Sequence, residues 1–173
     1  MNIFNNKTKE KTDITELDYK TANNIKTLAL DMINEANSGH SGVVLSAGNI
    51  LYTIYGKHLV FDKNNDKWIN RDRFVLSGGH ASALLYSMLY MIGYLSLDDL
   101  KNFRKLNSNT PGHPEATTKG VETSTGPLGE GFANAVGMAI AEKYLNNRYR
   151  CNKKESLIDY HTYCLCGDGD LIF

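Results

Sequence analysis

The chain of 173 residues has the length of one domain, and its content of 42% hydrophobic and 22% charged residues is typical of a folded core. Its 19 lysines and arginines balance 19 aspartates and glutamates. This neutrality gives no electrostatic reason to expect nucleic acid or an anionic membrane surface as the main partner. No apolar run approaches the roughly 20 residues that span a bilayer.

The two ends of the chain differ in composition. The polar N-terminus, residues 1–13, lacks the apolar stretch of a signal peptide and is predicted to be a flexible arm. The three cysteines, Cys151, Cys164 and Cys166, are odd in number and fall late in the chain. They form no disulfide framework, so a reducing cytoplasm is expected. Cys164 and Cys166 lack a second cysteine pair that would suggest zinc, and we interpret them as strand residues.

The first part of the chain predicts two helices. Apolar residues recur at helical spacing over residues 14–37, and Ser38-Gly39 is predicted to end that helix. A second helix is predicted over residues 46–58, and a polar loop over residues 62–73 follows it.

The next part predicts a strand, a glycine turn and a helix. The strand Phe74-Val75-Leu76 runs into Ser77-Gly78-Gly79-His80, and a helix is predicted over residues 81–92. This order is half of a βαβ unit. Ser96 with Asp99 predicts a capping box and a short helix to about residue 105. A helix over residues 131–148 and a strand over residues 160–166 complete an α/β fold, in which helices flank a parallel sheet.

A long irregular segment, residues 106–130, contains all three prolines: Pro111, Pro114 and Pro127. Loops of this length in compact domains are usually either functional or disordered. Its glycines, its histidine and its low charge favour a functional loop.

Three of the five histidines, His40, His80 and His113, directly follow a glycine. Glycine allows a sharp turn or a close approach to a ligand, and ligands of α/β sheets bind beyond the carboxyl ends of the strands. Each histidine taken alone fits an ordinary loop, but together they favour a shared crevice. His58 and His161 lack the glycine and are interpreted as structural or surface residues.

Two glycine-rich turns have alternative interpretations. Residues 126–131 precede a helix whose N-terminal amides favour anions, or they form an ordinary loop-to-helix junction. Gly167-Asp168-Gly169 follows a strand. Its carboxylate could hold Mg²⁺ while the glycines admit a diphosphate, or the segment is a tight acidic turn.

Five segments, taken in order, resemble the transketolase family: residues 38–40 (SGH), 73–81 (RFVLSGGHA), 110–115 (TPGHPE), 125–131 (TGPLGEG) and 167–170 (GDGD). The GDG motif alone is typical of thiamine-diphosphate enzymes in general. The TPGHPE segment points to transketolase and its relative dihydroxyacetone synthase, and away from the deoxyxylulose-phosphate synthases.

The resemblance implies a fold, a cofactor and a reaction. Residues 14–173 would form part of the domain that binds the diphosphate of thiamine diphosphate, with Mg²⁺ or another divalent cation such as Ca²⁺. The family transfers a two-carbon ketol unit from a ketose phosphate to an aldose phosphate in the pentose phosphate pathway, and the active enzyme is a homodimer. The cofactor serves as the electron sink for carbon–carbon cleavage.

The resemblance also implies roles for single residues. By motif position Asp168 would be a metal ligand and Gly169 would contact the diphosphate. His80 would lie against the diphosphate side of the cofactor. His40 and His113 would face the substrate, bind sugar oxygens and help to move protons. Backbone contacts to the cofactor are implied for Gly126, Pro127 and Leu128.

The sequence departs from the family pattern in two places. Ser41 stands where the family usually has proline after the first Gly-His, while the histidine itself, His40, is present. The second metal ligand, an asparagine, and the activating glutamate do not occur within these residues. The chain alone is therefore expected to be inactive. It is either a piece of a longer enzyme, which we favour, one subunit of a split transketolase, or a non-catalytic remnant that acts as a binding module.

Overall fold

The computed structural model describes residues 13–150 and 156–172. Most of the predicted N-terminal arm, residues 1–12, and Cys151 lie outside the described residues. Within these residues the structure has five α-helices, one π-helical turn and two strands. In chain order they are α1 Glu16–Glu35, α2 Ser41–Thr53, which continues into the π-helical turn Ile54–His58, β1 Arg73–Leu76, α3 Ser82–Met91, α4 Leu97–Lys101, α5 Glu130–Arg148 and β2 Thr162–Leu165. Short 3₁₀ turns, Gly79–Ala81 and Asp168–Leu171, follow the two strands.

The two strands form a parallel pair in which Phe74 lies opposite Tyr163 and Leu76 lies opposite Leu165. A parallel pair needs a crossover connection, and here α3, α4, the long loop and α5 supply it. The predicted α/β class is therefore confirmed. Cys164 lies in β2 as expected, but the prediction of Cys166 as a strand residue was wrong, since β2 ends at Leu165.

The sheet separates a helical core from α5. Phe74 and Leu76 join the buried cluster that α1, α2 and α3 build, whereas Val75 points to the opposite face because side chains alternate along a strand. Helix α3 is fully or almost fully buried at Leu84, Leu85, Met88 and Leu89. Helix α5 contacts both strands.

The N-terminus of α1 is fixed by a capping box. Thr15 Oγ1 accepts from the Asp18 amide, and Asp18 accepts from the Thr15 amide. The buried Asp18 also accepts from Tyr52 Oη and lies 2.8 Å from Lys57 Nζ. Burial would raise the pKa of Asp18, but its bonds to Lys57, Tyr52 and Thr15 outweigh burial and hold that pKa well below its usual range.

Two predicted helix boundaries were wrong. Helix α2 begins at Ser41 rather than near residue 46, because Val44, Ala47 and Leu51 are buried at helical spacing and extend the core face towards His40. Helix α4 ends at Lys101 rather than near residue 105. Arg104 has a left-handed φ of 63° and turns its amide to the carbonyl of Thr110, so the chain leaves the helix there.

Residues 106–129 contain no helix or strand, as predicted. Across residues 13–150 and 156–172, no helix combines the length and the apolar character that crossing a membrane requires.

Candidate functional site

The loops that follow β1 and β2 meet at one edge of the sheet. His80 follows the carboxyl end of β1, and Asp168 follows the carboxyl end of β2, so the parallel pairing brings both to the same edge. Helix α5 begins beside them, since the Gly129 amide is bonded to Asp170. This arrangement agrees with the predicted gathering of the histidine-bearing loops at the carboxyl ends of the strands.

The three histidines of the Gly-His pairs lie in one group. The rings of His40 and His80 have centroids 5.0 Å apart. A Cβ at Gly126 would lie 3.8 Å from the His113 ring. Desolvation lowers the pKa of His40, and electrostatic interactions with His80, Arg104 and His113 lower it further. The group therefore favours an uncharged His40, which is the form that can accept a proton.

The position of His40 depends on a glycine and on an arginine. Gly39 has φ 147°, and a Cβ there would lie 2.7 Å from Ile33 Cγ1, so a side chain would meet both strain and a clash. Arg104 donates to Ser38 Oγ at 2.7 Å. A Cβ at Gly112 would lie 3.4 Å from Arg104 Nε. Arg104 therefore bridges the loop of His40 and the loop of His113.

Helix α3 supports the loop of His113 through the hydroxyl groups of Ser82 and Tyr86. Ser82 Oγ donates to the carbonyl of Gly112 at 2.7 Å. The fully buried Tyr86, one helical turn further, donates to the carbonyls of Pro111 and His113 at 3.0 and 3.2 Å. Residues i and i+4 lie on the same face of a helix, so both hydroxyls reach the same loop.

The glycine-rich turns approach each other closely. A Cβ at Gly79 would lie 2.8 Å from Thr125 Oγ1 and 3.1 Å from the amide nitrogen of Gly126. A Cβ at Gly169 would lie 3.4 Å from Leu128 Cδ1. The structure therefore brings the segment 126–128 between the turn after β1 and the turn after β2.

Asp168 has a carboxylate that is open to a cation. Its side chain is exposed, and within the described residues it receives one hydrogen bond, from the Gly169 amide at 3.0 Å. No group of three or more His, Cys, Asp or Glu side chains among those residues is arranged to hold a metal ion by itself. A hard oxygen donor beside glycine-rich backbone fits Mg²⁺, which typically takes one or two carboxylates and completes its coordination with phosphate oxygens.

Asp170, two residues further along the chain, is buried, in contrast to the exposed Asp168. It is 2% exposed, and both of its oxygens accept hydrogen bonds: Oδ1 from Ser77 Oγ and the Gly129 amide, and Oδ2 from the Gly167 amide. Burial would raise the pKa of Asp170, but these bonds and the nearby His80 hold that pKa below its usual range. The anion at the N-terminus of α5 is therefore the protein's own carboxylate.

Sequence reasoning missed Ser82, Tyr86, Arg104 and Asp170. Ser82 and Tyr86 are polar residues at i and i+4 on an otherwise apolar helix, and this spacing was a usable signal. Asp170 belongs to the GDGD motif, but the sequence analysis assigned it no role. For Arg104 we find no local signal, because its partners come from other loops.

Comparison with known proteins identifies the family. The family model described as "Transketolase, thiamine diphosphate binding domain" matches residues 17–172. The structure itself defines an α/β domain with a loop-built, glycine-rich site at the carboxyl edge of a parallel pair of strands. The chain belongs to the transketolase family of thiamine-diphosphate-binding domains.

Individual relatives of the chain are also named transketolases. The chain is 50% identical to the transketolase of Aquifex aeolicus over 159 residues, which are 91% of this chain and 23% of that protein. It is 51% identical to the transketolase of Bacillus subtilis over 158 residues, which are 90% of this chain and 24% of that protein. The chain thus spans about a quarter of the length of these relatives.

Solved structures give the same result. The transketolase of Campylobacter jejuni matches with a TM-score of 0.86 and 53% identity, over 91% of this chain and 24% of that one. A transketolase of Pichia stipitis in complex with sedoheptulose 7-phosphate matches with a TM-score of 0.88 and 46% identity, over 92% of this chain and 24% of that one.

Proposed function

We propose that this chain forms the diphosphate-binding side of a transketolase active site, which transfers a two-carbon ketol unit from a ketose phosphate to an aldose phosphate. The observation that carries this proposal is the convergence of the turns after β1 and β2 with the segment 126–128 at one edge of the sheet. When bound, thiamine diphosphate supplies the electron sink for carbon–carbon cleavage.

In this proposal the acidic side of the site holds the cofactor. The exposed Asp168 carboxylate is a ligand of Mg²⁺ or another divalent cation. Gly169 contacts the diphosphate, and the backbone of Gly126, Pro127 and Leu128 contacts the cofactor between the two turns. His80 faces the diphosphate side, since it follows β1 directly and lies near Asp170.

The histidine side faces the substrate. His40 and His113 bind hydroxyl and carbonyl oxygens of the sugar and move protons during transfer. The lowered pKa of His40 supports this role, because a neutral imidazole both accepts a proton and accepts hydrogen bonds.

The activity belongs to an enzyme of the relatives' length, acting on sugar phosphates as a homodimer in the cytoplasm. The chain spans about a quarter of those relatives, 23% and 24% in the two compared above. It supplies one side of the cofactor site, so we expect it to bind cofactor weakly and not to turn over a ketose phosphate alone.

Isothermal titration calorimetry of the purified chain with thiamine diphosphate, with and without Mg²⁺, tests the proposal. Saturable binding that requires Mg²⁺ is expected, and thiamine without the diphosphate should not bind. Mg²⁺-independent binding, or no binding, together with recovery of a stable protein partner from solution, would favour the binding-module alternative.

A further inference from the structure

We infer that Asp170 is a positioning residue for the diphosphate-binding side of the site. Its buried carboxylate fixes the turn after β1, the loop before α5 and the turn after β2 relative to one another. The expected effect of Asp170 on cofactor binding rests on the proposed function. Its role in positioning the loops rests on its hydrogen bonds alone.

Each bond of Asp170 reaches a different segment of the site. Ser77 Oγ donates to Oδ1 at 2.7 Å, and Ser77 begins the turn that carries His80. The Gly129 amide donates to the same oxygen at 3.1 Å, directly after the segment 126–128. The Gly167 amide donates to Oδ2 at 2.8 Å, directly before Asp168. All the residues proposed to contact cofactor or metal therefore lie within three positions of a donor to Asp170.

Ser77 extends this network to α5. Its hydroxyl donates to Asp170 and accepts from the Phe132 amide at 3.0 Å. A carboxylate and a serine hydroxyl thus satisfy amides at the start of α5, where amides lack partners within the helix. The start of the helix and both turns move together with Asp170.

The same bonds exclude Asp170 as the metal-facing carboxylate. Oδ1 has two donors and Oδ2 has one, and the side chain is 2% exposed. Asp168 is exposed and receives one hydrogen bond within the described residues. The two aspartates therefore have different roles in this proposal. Asp168 faces the divalent cation, and Asp170 positions the loops through its hydrogen bonds.

The substitution Asp170→Asn separates positioning from charge. It keeps the shape of the side chain but replaces one acceptor oxygen with a donor, which faces either the Gly167 amide or the Gly129 amide. Removal of a negative charge would by itself favour the binding of a diphosphate and disfavour the binding of Mg²⁺, so the charge effects on their complex oppose each other. Loss of positioning weakens the binding of both.

Hydrogen exchange measured by NMR on the 173-residue chain tests the structural part. In Asp170→Asn we expect the amide that the new NH₂ group faces, Gly129 or Gly167, to exchange roughly 10–100-fold faster, as for loss of a hydrogen bond to a charged group. Amides in the middle of α1 should be unchanged. Asp159→Asn, which alters an exposed carboxylate bonded to Asn70, is the matched control and should leave the site amides unchanged.

Titration calorimetry of the same variants with Mg²⁺ and thiamine diphosphate tests the functional part. The Kd should rise roughly 10–100-fold in Asp170→Asn, the range typical for residues that orient metal ligands. Equal or tighter binding would overturn the inference, and so would unchanged exchange at Gly129 and Gly167. If the unsubstituted chain binds no cofactor, the proposed function fails, while the exchange measurement still decides the role of Asp170.

Ser77→Ala keeps the test decisive if Asp170→Asn does not fold. This variant removes one donor to Asp170 and the acceptor of the Phe132 amide, but leaves both glycine bonds. We expect faster exchange at Phe132 and slow exchange retained at Gly167. Equal acceleration throughout the core would contradict a local positioning network.

Discussion

The histidine side and the acidic side of the site are held by different kinds of contact. On the histidine side several side chains support the loops: Ser82 and Tyr86 of α3 bind the loop of His113, and Arg104, which follows α4, binds Ser38 before His40. On the acidic side a single buried carboxylate, Asp170, binds all the loops.

This difference determines how each side responds to change. The loop of His113 has its own supports in Ser82 and Tyr86, so substitutions of these two residues should act mainly on that loop, whereas Arg104 contacts both histidine loops. Loops that share one carboxylate are coupled, so a substitution there should affect the whole diphosphate side.

The largest effect that separates the two sides is expected for Asp168→Ala. Mg²⁺ would lose its carboxylate ligand, and the charge of the diphosphate would remain uncompensated. In an enzyme of the relatives' length we expect Mg²⁺-dependent retention of thiamine diphosphate to be abolished, as measured by calorimetry and by cofactor content after desalting. Asp159→Ala is the control for loss of a carboxylate. Retention equal to that of the unsubstituted protein would show that Asp168 is not the metal ligand.

The next effect concerns the histidine side, in an enzyme of the relatives' length. His40→Ala and His113→Ala should each lower turnover on the order of 10²–10⁴-fold, which is typical for loss of an acid–base group. Cofactor affinity should remain nearly unchanged. His161→Ala, whose side chain is 68% exposed, is the control. If His113→Ala lost cofactor as fully as Asp168→Ala, the two sides would not be separate, and the proximity of His113 to Gly126 would be the reason.

The parts of the fold that follow from short segments could be predicted from the sequence. The strand at Phe74, the glycine turn and α3 occupy consecutive residues, and β2 runs directly into Gly167, so local patterns were sufficient. His80 and Asp168 could be placed at one edge because parallel strands bring their carboxyl ends together. His40 and His113 follow no strand, and only their shared Gly-His pattern grouped them with His80.

The supports of the site could not be predicted in this way. Asp170 lies 93 residues from Ser77 and 41 from Gly129, and Tyr86 lies 25 from Pro111. A sequence shows polar residues, but the partner of a polar group at such a separation depends on the packing of the whole fold. The start of α2 was missed for a related reason, since Ser41-Gly42 is typical of a loop until Val44 is known to face the core.

A smaller effect is expected where the two sides meet, at Gly131 in the first turn of α5. A Cβ there would lie 2.6 Å from the Cα of Ser77, so backbone must move. Gly131→Ala should destabilise the chain by about 1–3 kcal/mol in chemical denaturation. Gly137→Ala is the matched control in the same helix, because among the described residues no atom lies within 4 Å of its new Cβ. It should be neutral or stabilise by up to about 1 kcal/mol, the difference in helix propensity. Equal effects of the two substitutions would contradict close contact between α5 and the turn after β1.

The smallest effect tests whether charge as well as contact links the histidine loops. The pKa of His40 is lowered below its ordinary value of 6.5 by burial first, and then by His80, Arg104 and His113. Arg104→Met removes one of these charges, so the pKa of His40 should rise, whereas Arg104→Lys should keep it low. NMR titration of the His40 ring protons measures both variants directly.

The sign of the accompanying change in stability follows from proton binding. A histidine whose pKa is lower in the folded state binds more protons when unfolded, so folded stability falls as the pH drops below the unfolded value of 6.5. Arg104→Met should make that fall shallower. If Arg104→Lys raised the pKa of His40 as much as Arg104→Met, the forked hydrogen bonding of the guanidinium, and not its charge, would be what keeps His40 neutral.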